Sequence, residues 1–221
     1  MEKRVLITGK TTRLGNLLVE NFLSRGCKVV ATVKQEEEKL GESEIDSNLL
    51  ITTWNRRSPL AAKNVLLSGI NQFGGIDEAI IMFPMDGENR PLHALPAAAI
   101  EAAVDGQIKS QLFMIKEVLN YFQRERRGQI SLIRHDEGSE TLPPLDAVCS
   151  GSFRSLSKSL FTFYQNEAVC INSFESASSD SKLFVDFIVK TLDEKARENH
   201  GKLYRFSDRG MLSSLTRNSR K

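Results

Sequence analysis

The run from Arg4 to Gly15, Arg-Val-Leu-Ile-Thr-Gly-Lys-Thr-Thr-Arg-Leu-Gly, constrains this chain more than any other stretch. Val5, Leu6 and Ile7 form a short apolar strand and Thr8-Gly9 breaks it. From Leu14 the apolar residues recur at helical spacing (Leu14, Leu17, Leu18, Phe22) until Gly26 stops the helix. A second strand follows over Val29 to Val33, which completes a βαβ unit. In such units the unpaired N–H groups and partial positive charge of the helix N-terminus can hold a dinucleotide pyrophosphate. Three glycines normally shape that turn. Here Gly9 and Gly15 stand at the first and third positions, and Arg13 replaces the second, where a missing Cβ lets backbone approach the phosphates. The arginine can reach a phosphate with its guanidinium, or its bulk can weaken or close the site. Gly9-Lys10-Thr11 also looks like the end of a P-loop, but the required earlier glycine would fall on Arg4.

With 221 residues, 40% hydrophobic and 26% charged, the chain has the composition of one globular domain, expected over residues 1–210, with a basic tail over 211–221. A net charge of +2, with basic residues interspersed among acidic ones, points to no nucleic-acid partner. No apolar stretch is long enough for a membrane span, and a signal peptide is not expected, since Met1 leads directly into the first strand. Cys27, Cys149 and Cys170 are odd in number and widely spaced, which predicts free thiols in a reducing, cytoplasmic setting and no metal site.

Further along, Gln35 to Ser47 reads as a polar loop or short helix, and Leu49 to Trp54 as a third strand. Ser58 is a natural N-cap and Pro59 a first helical residue for a helix over Leu60 to Phe73, which Gly74-Gly75 ends. Ala79 to Phe83 is a continuous apolar strand, as in a parallel sheet buried on both faces. A loop over Pro84 to Pro96 leads to a long helix over Pro96 to Arg127, stopped by Gly128. Next come a strand over Gln129 to Ile133, a loop over Asp136 to Pro144 and a helix over Asp146 to Tyr164. Val169 to Phe174, Asp180 to Glu198 and Gly201 to Phe206 give the last strand, helix and strand. This alternation predicts an α/β, Rossmann-like, doubly wound parallel sheet of about seven strands with helices on both faces.

The order of these pieces resembles the short-chain dehydrogenase/reductase family over nearly the whole chain. The carriers are Thr8-Gly9 with Leu14-Gly15, Ile76-Asp77, Gly128-Gln129-Ile130, Val169-Cys170-Ile171-Asn172, and Gly201 with Asp208-Arg209-Gly210. The resemblance implies a dinucleotide crevice at Thr8, Gly9, Thr11, Arg13, Leu14, Gly15 and Lys34. Family enzymes also carry a Tyr-x-x-x-Lys pair as general acid/base. Here Tyr121, Tyr164 and Tyr204 are followed four residues on by Glu125, Ala168 and Asp208, so no such pair exists. Aligned on Phe153, Leu156 and Leu160, the helix puts Asp146 and Ser150 in those two positions. His135 stands for the family's serine, Gln107 for its helix asparagine, Ile81-Met82-Phe83-Pro84 for its Asn-Asn-Ala-Gly, and Ser176-Ala177 for its Pro-Gly. The segment that closes over substrate is missing, since Ala177 to Asp180 leads directly into the last helix.

These losses lead to the expectation of a catalytically silent binding or regulatory subunit. The alternative is an NADP(H)-dependent oxidoreductase or other enzyme in which His135 and Asp146 face each other as a replacement acid–base pair, a pair that otherwise plugs an unused pocket. Arg134 beside them equally permits an anion site. Val33 stands where an NAD-selecting carboxylate would be and Lys34 follows, so any residual binding is expected to be weak and to prefer NADP(H). Trp54 is expected as a rim or core aromatic. Homo-oligomers, or hetero-oligomers with an active relative, are expected through helices 96–127 and 146–164. Phe153, Leu156, Leu160, Phe163 and Tyr164 form one apolar arc for the sheet, and Gly151, Ser155 and Ser159 form a separate strip of small residues.

Overall fold

The computed structural model describes residues 2–34, 47–85, 89–136, 142–195 and 200–207. The readings at Gln35 to Asp46, within Pro84 to Pro96, within Asp136 to Pro144, at the end of Asp180 to Glu198, at Asp208-Arg209-Gly210 and over the basic tail 211–221 lie, in whole or in part, outside these residues. Seven parallel strands, β1 (Arg4–Ile7), β2 (Lys28–Val33), β3 (Leu49–Thr53), β4 (Glu78–Phe83), β5 (Gly128–His135), β6 (Val169–Ser176) and β7 (Leu203–Phe206), form one sheet in the order β3-β2-β1-β4-β5-β6-β7. The order reverses between β1 and β4, which opens a crevice at their carboxyl ends.

Period-two alternation sends neighbouring residues of each strand into two separate cores. Leu6, Val30, Ile81, Leu132 and Ile171 pack on one face against α2 (Pro59–Phe73), α4 (Ser110–Glu125) and α5 (Pro144–Phe163). Val5, Ile7, Val29, Ile80, Ile133 and Phe174 pack on the other against α1 (Arg13–Ser24) and α6 (Ser181–Lys195). The Ser58 and Pro59 reading holds: Ser58 Oγ accepts from Ala61 N at 3.3 Å, Pro59 opens α2, and Gly74 closes it in the left-handed region.

Several boundaries differ from the sequence reading. The single helix expected over 96–127 is divided: α3 (Ala97–Ala103) passes into a π-helical turn over Val104–Lys109 before α4 begins. Ser110 Oγ donates back to the Gly106 carbonyl at 2.7 Å there, a side-chain bond that competes with the helical ladder. Arg126, not Gly128, ends α4, with a φ of 50°. Gly128 opens β5 instead, because at its φ of 150° a Cβ would lie 2.2 Å from Phe122 Cγ. Strand β5 runs on to His135, paired with β4 as far as Arg134 and with β6 to its end. Phe163 leaves the expected apolar arc and is 81% exposed, since it sits at the rim of that arc on the last residue of α5.

Candidate functional site

The crevice at the switch point begins at the turn between β1 and α1. Gly9 adopts a φ of 77°, a conformation that favours glycine, and Thr32 holds both of the next donors: Gly9 N reaches Thr32 Oγ1 at 3.2 Å and Lys10 N reaches Thr32 O at 2.9 Å. Thr12 is the N-cap of α1. Its hydroxyl accepts from Gly15 N at 3.0 Å and donates to Gly9 O at 2.9 Å, so one side chain ties the turn to the helix. Gly15 is a matter of space, because a Cβ there would sit 2.1 Å from Gly9 O.

The expected crevice residues therefore divide by task. Thr8 is buried and braces β1 to β4, its N–H on Ile80 O at 3.0 Å and its hydroxyl accepting from Met82 N at 2.8 Å. Leu14 and Gly15 are buried in the packing of α1. Thr11 and Arg13 are exposed at the mouth of the turn, and Lys34 is half-buried just past β2. Among the described residues neither Arg13 nor Lys34 has a hydrogen-bond or ion-pair partner. Thr12 and Thr32 were absent from the expected set. Thr12 was legible as a capping residue directly before a helical pattern, whereas Thr32 becomes part of the turn only through strand pairing.

Beyond the turn the crevice is lined differently. Met82 and Phe83 are buried, and the Phe83 ring meets Phe153 of α5 edge-on at 5.0 Å. Trp54, just after β3, is a core residue at 2% exposure. His135 and Asp146, expected to face each other, lie on opposite faces of the sheet. His135 alternates with Ile133, so its ring faces α6, 5.4 Å from Phe184, with Nε2 2.7 Å from the Ser178 carbonyl. A carbonyl only accepts, so Nε2 is the donor in this contact. Asp146 is buried in the first turn of α5, which packs on the opposite face of the sheet.

Arg134 is likewise committed: its Nη2 donates to Asp136 Oδ2 at 2.8 Å in a largely buried pair. Gln107 is buried on the π-helical turn, and its Oε1 has no partner among the described residues. Ser181, at the start of α6, is buried with its hydroxyl in the same condition. Only residues 177–180 separate β6 from α6, as the sequence suggested.

The three tyrosines lie away from this crevice. Tyr121 Oη accepts from Ile76 N at 3.2 Å before β4, Tyr164 follows α5, and the Tyr204 ring stacks on Phe174 at 5.1 Å. Cys27, Cys149 and Cys170 are in no disulfide. Among the described residues no group of His, Cys, Asp and Glu could hold a metal ion, and no helix is long and apolar enough to cross a membrane.

The short chain dehydrogenase family profile matches residues 3–150. The chain is 26% identical over 203 residues to the NADP-dependent 3-hydroxy acid dehydrogenase YdfG of Salmonella typhi, covering 90% of this chain and 80% of the relative. It is 34% identical over 103 residues to the cis-2,3-dihydrobiphenyl-2,3-diol dehydrogenase of Paraburkholderia xenovorans, covering 46% of this chain and 37% of that protein. Among solved structures it is similar in fold to a serine dehydrogenase from Escherichia coli, with a TM-score of 0.75, 23% identity and coverage of 91% and 96% of the two chains. A short chain dehydrogenase from Bacillus anthracis has a TM-score of 0.79 at 15% identity, with 93% and 95% covered.

Proposed function

Because the chain belongs to the short-chain dehydrogenase family, we propose that it is a member that keeps the fold and the phosphate turn without the chemistry, and acts as a catalytically silent binding or regulatory subunit. The observation that carries this reading is the placement of the tyrosines. A general acid must lie within hydrogen-bond reach of the reacting oxygen, and Tyr121, Tyr164 and Tyr204 are all engaged elsewhere. The replacement pair fares no better, with His135 turned to the Ser178 carbonyl and Asp146 beginning a helix on the other face.

The likeness to an NADP-dependent 3-hydroxy acid dehydrogenase makes 3-hydroxy acids and their 3-oxo forms the first substrates to test, with NADP+ or NADPH. No turnover above a protein-free control is expected. Turnover that disappears in His135→Ala or Asp146→Ala would overturn this reading in favour of an oxidoreductase with rebuilt acid–base groups.

Dinucleotide affinity is proposed to be weak, with NADP(H) preferred over NAD(H). The residues present suit the phosphates: the turn has its first and third glycines, and Arg13 and Lys34 are cations with no partner among the described residues. They do not suit the rings, for Phe83 is packed on Phe153 and Trp54 is folded into the core.

The remaining function is placed on the outer face of α4 and α5, as a surface for a second copy of this chain or an active relative. Leu112, Val148 and Phe163 are exposed large apolar residues on those two helices. Between the latter two, Gly151 has open space around its Cα and Ser155 and Ser159 are exposed, so a partner helix can approach closely. Ser155→Arg would bury an unpaired charge in that contact and leave the core side of α5 untouched. Light scattering after size exclusion should show a dimer or larger species for the native protein and a folded monomer for the variant. A native monomer that takes up no added active relative would refute this surface.

A further inference from the structure

Trp54 is the only tryptophan in the chain, and its position is unusual for so large a side chain with a polar edge. It directly follows β3, and its backbone N–H donates to the Val33 carbonyl at the end of β2 at 2.9 Å. The indole turns inward, and its Nε1 has no acceptor among the described residues. Arg56 lies over the ring, 5.6 Å from its centre. An indole N–H can only donate, and enclosing it without an acceptor is unfavourable. A phenylalanine or leucine would fill apolar space without that cost, so the packing alone does not call for tryptophan.

The sheet order says what this ring displaces. In a doubly wound sheet the pyrophosphate rests on the first helix and the adjoining ribose reaches the end of the second strand. The strand order here is β3-β2-β1, so a base attached to that ribose falls further out, at the carboxyl ends of β2 and β3. Trp54 is the residue hydrogen-bonded across those two ends. We infer that the Trp54 indole is a built-in plug of the base compartment, so that the crevice engages the phosphates of a ligand through the Gly9–Gly15 turn and excludes its purine. This rests on the weak-binding reading above and supplies a residue responsible for it. The ligand class that remains is a diphosphate whose affinity does not depend on a base.

Titration calorimetry with inorganic pyrophosphate and ADP tests the proposal on the whole chain. In the native protein the two ligands should differ by less than about threefold, and ADP should leave Trp54 emission and its shielding from acrylamide unchanged. Trp54→Ala should raise ADP affinity by about tenfold or more while pyrophosphate affinity stays level, and Trp54→Phe, which refills the space, should behave like the native chain. Should circular dichroism show Trp54→Ala unfolded, Trp54→Val takes its place with the same expectation. Native ADP binding about tenfold tighter than pyrophosphate, or no ADP gain in the folded small-residue variant, would overturn the plug. Catalytic silence fails by turnover and the plug fails by affinity, so each can be lost without the other.

Discussion

Gly15→Ala should lower the melting temperature by roughly 6–12 °C, on an overpacking cost of about 3 kcal/mol and a response of about 2–4 °C per kcal/mol for a chain of this size. The added Cβ would lie 2.1 Å from the Gly9 carbonyl oxygen, 2.8 Å from its carbon and 3.0 Å from the Thr12 hydroxyl. The first two are backbone atoms of a turn pinned by Thr32, and they have no room to retreat. The helix must therefore move away from the turn, which breaks the Thr12 cap and spoils the phosphate cradle together. Gly151→Ala is the matched control. Gly151 also lies inside a helix, but nothing of its own chain stands within 4 Å of its Cβ direction, so on the monomeric Ser155→Arg background, where no partner helix meets it, the helix preference for alanine, about 1 kcal/mol, should raise stability. Thermal melts of both variants give opposite signs if close approach is the role of Gly15, and a Gly15→Ala protein as stable as the native one would refute it.

That contrast separates what the sequence discloses from what it hides. The strand, turn and first helix are legible because each rests on local chemistry: a short apolar run with β-branched ends, the Thr8-Gly9 break and apolar spacing from Leu14. The same holds for Ser58-Pro59 and for the short link over residues 177–180. The alternation of strands and helices likewise disclosed the seven-stranded parallel sheet. The misreadings share another cause. Gly128 looked like a helix stop, but it is required by the Phe122 ring, a contact that exists only after α4 and β5 have packed. His135 and Asp146 are expected to face each other because they stand at the family's serine and tyrosine positions, which fix places along the chain and not the side of the sheet that each side chain takes. Pairing with β4 as far as Arg134 and with β6 as far as His135 carries β5 past Ile133, and strict alternation then turns the ring toward Phe184. The π-helical turn at Val104–Lys109 is not legible because the residues buried there and just beyond it, Gln107, Ser110 and Gln111, are polar and give no apolar spacing to follow.

The largest pH-dependent effect should come from Lys3 and Glu78, a pair outside the crevice. Glu78 is fully buried at the start of β4, with Lys3 Nζ 2.5 Å away and Ser131 Oγ donating from 3.4 Å. Burial pushes its carboxyl above the usual range, and Lys3 and Ser131 pull it only part of the way back. The folded chain thus holds this proton more firmly than the unfolded one. Its contribution to stability is complete below the unfolded value and is lost as pH rises through the raised folded value. Neighbouring Asp77 has the opposite sign. Hydrogen bonds from Arg4 hold its carboxyl below the usual range, so its contribution is present above the unfolded value and is lost as pH falls. Removing the lysine and removing the glutamate should therefore differ. Lys3→Met leaves a buried carboxylate without its cation and should cost about 3 kcal/mol at the alkaline end, shrinking toward acid pH as Glu78 takes up a proton. Glu78→Gln leaves behind only a lysine whose side chain is already 39% exposed, so it should stay within about 1 kcal/mol of the native chain and flatten the slope assigned to Glu78. Urea melts from about pH 5 to pH 8 measure both. Equal losses in the two variants at every pH would mean that attraction within the pair, not the cost of burying the carboxylate, dominates this corner of the sheet.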